Sequence, residues 1–222
     1  IVGPTASSDY SEQATATVIG AGVTVSDPID DSQCSGATAV ISTNYRAGDM
    51  LAAVTTGTLI TATYDGTGTL TLSGVDSIDN YNAVLRSVSF WSTSDSPTSG
   101  GATTRTITWQ ATDNNAHNAA NGPLAATAVT STINLVPLPD VPVVAGLGTA
   151  NFTENGAAVA LAGGLTVTDP DDSQLIGAVV SISANFRSGD TLHFTDQSGI
   201  TGSYDGGTGL LTLTGTATLA NY

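Results

Sequence analysis

Apolar and polar residues alternate along much of this chain. The run Thr103-Thr104-Arg105-Thr106-Ile107-Thr108-Trp109-Gln110-Ala111 sets β-branched and aromatic residues at every second position. Ala178-Val179-Val180-Ser181-Ile182-Ser183 and Leu210-Leu211-Thr212-Leu213-Thr214 are built from the same residue types. A period of two is that of a strand with one buried face. Asp65-Gly66 and Asp205-Gly206 lie between such runs. Asp-Gly tolerates positive φ, so both pairs predict hairpin turns. The pattern predicts strands near 13–19, 22–27, 37–43, 58–64, 69–73, 86–93, 103–112 and 124–135. Short strands at this spacing predict a β-sandwich. One segment breaks the alternation. In 77–85, Tyr81 and Leu85 stand four apart behind Ser77, which predicts a short capped helix.

The pattern also repeats. Ser26-Asp27-Pro28-Ile29-Asp30-Asp31-Ser32-Gln33 returns as Thr168-Asp169-Pro170-Asp171-Asp172-Ser173-Gln174, without the inserted Ile29. Asn44-Tyr45-Arg46-Ala47-Gly48-Asp49 returns as Asn185-Phe186-Arg187-Ser188-Gly189-Asp190. Tyr64-Asp65-Gly66 with Leu70-Thr71-Leu72-Ser73-Gly74 returns as Tyr204-Asp205-Gly206 with Leu211-Thr212-Leu213-Thr214-Gly215. A long internal repeat is the signature of a tandem array. The expected division is one full unit, 1–142, and the first part of a second, 143–222. Pro137, Pro139 and Pro142 cannot join a central strand, so 135–142 is expected to be a stiff linker.

Composition narrows the partners. Nineteen acids stand against four arginines and no lysine, for a net charge of −15. Phosphate contacts need Lys and Arg, so nucleic acid and anionic membranes are unfavoured partners. No apolar run is long enough to span a bilayer as a helix. Such a surface suits divalent cations or screening salt. Cys34 is the single cysteine. It is expected to be a small core hydrophobe, and a chain without disulfides invites metal ions as an alternative staple.

Thr153-Glu154-Asn155-Gly156, Leu165-Thr166-Val167-Thr168-Asp169-Pro170-Asp171-Asp172, the Tyr-Asp-Gly and Leu-Thr-Leu hairpin and Asp140-x-Pro142 together resemble the cadherin-like repeats of giant bacterial surface adhesins of the repeats-in-toxin class. The resemblance covers both units. It implies an all-β fold of tandem Greek-key β-sandwiches of the cadherin/Ig type, one full and one truncated. It implies an extender segment of a large extracellular surface or biofilm-matrix protein at the bacterial cell surface, with neighbouring repeats as its partners. It also implies Ca²⁺ at the passages between repeats. Ca²⁺ takes six to eight hard oxygen ligands, which loop carboxylates and carbonyls supply. On that reading Glu12 and Asp140 face Asp169 and Asp171, and Asp172 and Glu154 belong to the same ligand class. Asp27, Asp30 and Asp113 serve a preceding repeat. Asp76 and Asp79, near another ligand position of that family, are replaced by Ala217 and Ala220 in the second unit. The acids also have a plainer reading as turn formers and solvated surface.

Other features point elsewhere. In both units an arginine stands three residues before a Gly-Asp aspartate, which predicts a loop held by an Arg–carboxylate pair. Trp109 is expected in the core. Trp91, Tyr10 and Tyr45 are candidates for a sugar-stacking face, so a carbohydrate-binding surface module is an alternative function. A filament subunit built by strand exchange between like repeats is another, because segment 82–142 suits either half-unit. Catalysis is not expected. His117 and His193 are isolated, and no nucleophile elbow, phosphate loop or zinc spacing is present.

Overall fold

Leu70, Leu72, Ile107, Trp109 and Ile133 are inward residues of alternating strands, and each is buried at 1 % exposure or less. Around such residues the computed structural model describes residues 1–4, 7–27, 32–115 and 122–222. Strands make up 42 % of the chain and helix 7 %, so the fold is all-β. The chain divides into two compact units, Ile1–Leu138 and Pro139–Tyr222.

The first unit holds β1 (Ser8–Ser11), β2 (Thr17–Val18), β3 (Gln33–Thr43), β4 (Asp49–Ala52), β5 (Thr61–Tyr64), β6 (Thr69–Ser77), α1 (Ile78–Arg86), β7 (Ser89–Ser92), β8 (Thr104–Asp113) and β9 (Val129–Val136). Six strands form one sheet in the order β1-β9-β8-β3-β6-β5, and three form another, β2-β7-β4. Leu51 and Phe90 of the smaller sheet share one core with Leu72, Ile107 and Trp109 of the larger. Tyr10 meets Phe90 edge-on, with ring centroids 5.1 Å apart.

β3 sits centrally in its sheet. One edge pairs with β6, the other with β8, in a register that sets Ala39 against Trp109 and Ile41 against Ile107. Small residues on β3 leave room for the indole, whose Nε1–H donates to Ser131 Oγ at 2.8 Å. β1 pairs parallel to β9. The helix runs from Ile78 with Ser77 as its N-cap, and Ser77 Oγ accepts the Asn80 N–H at 3.2 Å. Its buried face carries Tyr81, Val84 and Leu85.

Several sequence expectations shift. The region expected as a strand at 22–27 makes a single bridge, Val2 to Thr24. Strand formation at 13–19 is confined to β2. β3 begins earlier than expected, at Gln33, through a bulge between Cys34 and Gly36. β9 reaches Val136, into the expected linker.

The second unit contains β10 (Val143–Ala145), β11 (Thr166–Thr168), β12 (Gln174–Ser181), β13 (Thr201–Asp205) and β14 (Leu210–Thr218). β10 pairs with β11, and β12-β14-β13 form a three-stranded sheet. That order repeats β3-β6-β5, down to the bulge between Leu175 and Gly177. Ile200, Leu211, Leu213 and Ala217 form its core.

Candidate functional site

Three segments of the first unit converge near its C-terminal end. After β1 the chain turns at Ser11–Ala14, where the Ala14 N–H donates to Ser11 O at 3.1 Å and Gln13 takes a φ of 59°. Tyr10, fully buried, donates its hydroxyl to Ser92 O at 3.2 Å and ties this turn to the end of β7. Beyond β7, Ser94 and Ser96 accept or donate within their own loop and present Asp95 at the surface. The Gln13 side-chain amide donates to Asp95 Oδ1 at 3.2 Å.

Glu12 lies between these segments and the exit of β9. Its N–H donates to Val136 O at 2.9 Å, and its Oε2 accepts the Leu138 N–H at 2.9 Å. Glu12 as a whole is 3 % exposed. A buried carboxylate needs donors or a cation to offset its lost hydration. A carboxylate oxygen of Asp95 comes within 4.8 Å of one of Glu12. Two hard anionic oxygens at that separation repel each other, and a divalent cation relieves the repulsion. The pair offers two of the oxygen ligands that a metal ion would need. Asp140 follows two residues after Leu138 in the chain. Asp95 was not singled out by sequence, because it lies in a part of the first unit with no repeat in the second. Its one signal was its place in a Ser-Asp-Ser-Pro turn.

The remaining sequence candidates lie elsewhere. Asp113 ends β8, at the opposite end of that strand from Thr104, which pairs with Asn134 beside the β9 exit. Its Oδ1 accepts the Leu124 N–H at 2.7 Å. Asp27 and Asp113 line one shallow pocket with Gln33, Cys34 and Ile78. Asp30 lies outside the described residues. In the second unit Asp169 Oδ1 accepts the Asp171 N–H at 2.9 Å and the Asp172 N–H at 2.8 Å, an Asx turn. Asp171 Oδ2 accepts the Asp140 N–H at 2.8 Å. Asp171, Asp172 and Glu154 are exposed, Glu154 in a turn of its own.

No family model, curated protein or solved structure matches this chain. The site is therefore read from its own geometry.

Asp76 has a structural role in the first unit. Its carboxylate accepts N–H groups of Leu59 and Ser77 and the Asn80 amide, each at 2.7 Å. The Leu59 N–H first, then the Asn80 amide, hold its carboxyl below the usual carboxylate range. The expected loop arginine also differs. Asp49 is paired with Arg105 of β8, Nε to Oδ2 at 2.6 Å, with both side chains wholly buried. Arg46 contributes its backbone N–H to Asp49 Oδ2 at 2.8 Å.

The proposed stacking face is reduced. Tyr10 is buried and cannot meet a sugar ring. Tyr45 spends its hydroxyl on Gly66 O at 2.7 Å, and Trp91 is half-buried against the core. Trp109 and Cys34 lie in the core as expected. Among the described residues, no helix is long and apolar enough to cross a membrane.

Proposed function

We propose that this chain is a structural and adhesive extender segment of a large bacterial extracellular surface or biofilm-matrix protein, built from tandem Greek-key sandwiches and stiffened by Ca²⁺ between repeats. The observation that carries the reading is Glu12. A buried carboxylate grips the Leu138 N–H where the chain leaves the first unit, beside Asp95. Asp140, two residues further on, is tethered within chain reach of that pair, and it is the third ligand in this proposal. A cation held there resists bending of the chain that follows Leu138. Asp113 stands at the opposite end of β8, so acids mark both ends of the unit, as a head-to-tail array requires. The donors are all hard oxygens, which suits Ca²⁺ and not a thiolate- or imidazole-seeking metal.

The test is a thermal melt of the chain with and without millimolar Ca²⁺, with Mg²⁺ as control, and small-angle scattering of the same samples. A Ca²⁺-specific rise in Tm with a stiffer scattering profile supports the proposal. Identical melts and profiles in chelator and in Ca²⁺ would sink it.

A further inference from the structure

The repeat aligns Asp9-Tyr10-Ser11-Glu12-Gln13-Ala14 with Asn151-Phe152-Thr153-Glu154-Asn155-Gly156. Both stretches end in the same turn, which fixes the alignment. The Ala14 N–H donates to Ser11 O at 3.1 Å and the Gly156 N–H to Thr153 O at 2.8 Å, with φ of 59° at Gln13 and 60° at Asn155. Within this frame one exchange alters the chemistry. Asp9-Tyr10-Ser11 becomes Asn151-Phe152-Thr153, an asparagine followed two residues later by a hydroxyl, with no proline between them. That is the acceptor pattern for N-linked sugar. Asn151 is the only asparagine of the sequence that stands in it.

The first unit shows where the side chains of such a triplet point. Asp9, Tyr10 and Ser11 lie in β1, an end strand of the six-stranded sheet. Residues two apart in a strand share a face. Asp9 and Ser11 are exposed, while Tyr10 between them is fully buried. The first and third positions thus face water together, and the second alone serves the core. Asn151 and Thr153 are exposed as well. The fold does not need an amide at this place, since Asp9 fills it beside the same turn. A sugar added on this face displaces no core residue.

We propose that Asn151 is a site of N-linked glycosylation. The co-reactant is a sugar bound through its anomeric carbon to a phosphate of a nucleotide or lipid carrier, and a transferase brings the two together. Asn151 Nδ2 forms a bond to the anomeric carbon. The bond from that carbon to the phosphate oxygen breaks, the phosphate leaves with the electron pair, and one Nδ2 proton passes to a base of the transferase. The Thr153 hydroxyl is the group by which the transferase recognises the triplet. The product is a bulky, solubilising surface group. Its use lies in the place it occupies. An end strand offers unpaired backbone groups to other chains, and proteins blunt such edges with charge or cover. The first unit has the Asp9 carboxylate there. At 151 a neutral sugar covers the same place without adding charge to a chain already at −15. The inference stands whether or not Ca²⁺ binds near Glu12.

The test is mass spectrometry of the protein isolated from the cells that make it, cleaved on the N-terminal side of aspartate. The fragment 140–168 is expected to be heavier by at least one hexose or N-acetylhexosamine, with the added mass on Asn151. Made in the same cells, Asn151→Gln and Thr153→Val are expected to lose that mass, and Thr153→Ser to keep it. A native fragment of unmodified mass overturns the proposal. So does added mass that survives Asn151→Gln or Thr153→Val. The donor is then assigned with purified, sugar-free chain and fractions of those cells. Transfer in the soluble fraction supplied with nucleotide sugar marks a nucleotide donor, and transfer in the membrane fraction alone marks a lipid carrier. Both support the proposal, and transfer in neither fraction overturns it.

Discussion

Arg105 closes on Asp49 with two bonds, Nε to Oδ2 at 2.6 Å and Nη2 to Oδ1 at 3.3 Å, in the interior of the first unit. The guanidinium is completed by the carbonyls of Ala102 at 2.9 Å and Pro97 at 2.8 Å. The planar fork of arginine thereby holds the start of β4 in one sheet, the start of β8 in the other and the loop between β7 and β8 in one arrangement. Removing either partner leaves a buried charge alone, which costs about 3–5 kcal/mol. Arg105→Met and Asp49→Asn should each lower stability by that amount in urea denaturation followed by tryptophan fluorescence. Arg105→Lys should recover little, since a point charge cannot reach both oxygens and two carbonyls. A loss below about 1 kcal/mol, the range of an exposed pair, would show that the pair is not closed in solution.

Glycine within β6 and β14, two residues after the repeated Leu-Thr-Leu run, is a steric requirement. A Cβ at Gly74, φ +128°, would stand 2.4 Å from Leu59 O; at Gly215, φ +141°, it would stand 2.2 Å from Gly199 O. Gly74→Ala should cost about 1–3 kcal/mol, the scale of strain at such backbone positions. Both tryptophans lie in the first unit, so the fluorescence midpoint should drop for Gly74→Ala and hold for Gly215→Ala. Circular dichroism should report the second loss. An unchanged fluorescence midpoint in Gly74→Ala would refute the close approach.

Acid should unfold this protein through its turn aspartates. Asp65 is held well below the carboxylate range by the Thr69 N–H, then by the hydroxyl and N–H of Thr67. Asp205 is lowered by the Gly207 N–H and the Thr208 hydroxyl. Asp76 is lowered as well, by the Leu59 N–H first. The unfolded chain therefore takes up protons near pH 4, before the folded chain does. Stability is full above that range and falls as pH drops through it. Thermal melts from neutral pH downward should show a flat region and then a decline, shallower in Asp76→Asn. A flat profile down to strongly acidic pH would contradict it.

Alkali should act through two phenols. Burial, then the neighbouring Tyr45, pushes Tyr64 up to about 12. Burial, then Cys34 and Asp76, does the same for Tyr81. An unfolded tyrosine ionises near pH 10. The stability these phenols contribute is present below that pH and is lost as pH rises toward 12. Phenolate absorbance should develop late in the folded chain, and Tyr81→Phe, which forfeits the bond to Gly74 O, should remove one late-titrating group and cost about 1 kcal/mol.

Glu12 offers a test separate from bulk acidity. Glu12→Gln keeps an acceptor for the Leu138 N–H but removes the charge. Any Ca²⁺-dependent rise in Tm should shrink or vanish in this variant, while the melt in chelator stays near that of the unaltered chain. An undiminished rise would move the cation to other acids.

The sequence made much of this visible where the information is local. The capped helix at Ile78–Arg86, the Asp-Gly turns and the alternation of β8 each follow from residues within a few positions of one another. The repeat exposed the twin hairpins of β5-β6 and β13-β14. Long-range relationships were not visible in the same way. β1 is Ser-Asp-Tyr-Ser, with one inward residue, and exists because β9 supplies a parallel edge. β4 is four residues long and depends on β7. The partner of Asp49 was sought nearby, at Arg46, yet it arrives from 56 residues away. Asp95 meets Glu12 only because Tyr10 pins one turn to the end of β7. Of the expected ligands, Asp171 alone was found bonded to the Asp140 backbone, through a carboxylate that sequence had assigned to a cation.

Cys34, the chain's single cysteine, is 3 % exposed in the core of the first unit. A thiol reagent reaches it only during the moments when that core opens. The rate of its modification under native conditions is therefore a clock for spontaneous opening, with no probe to engineer in. If this segment bears load, the same thiol marks which molecules have been pulled open and which have not.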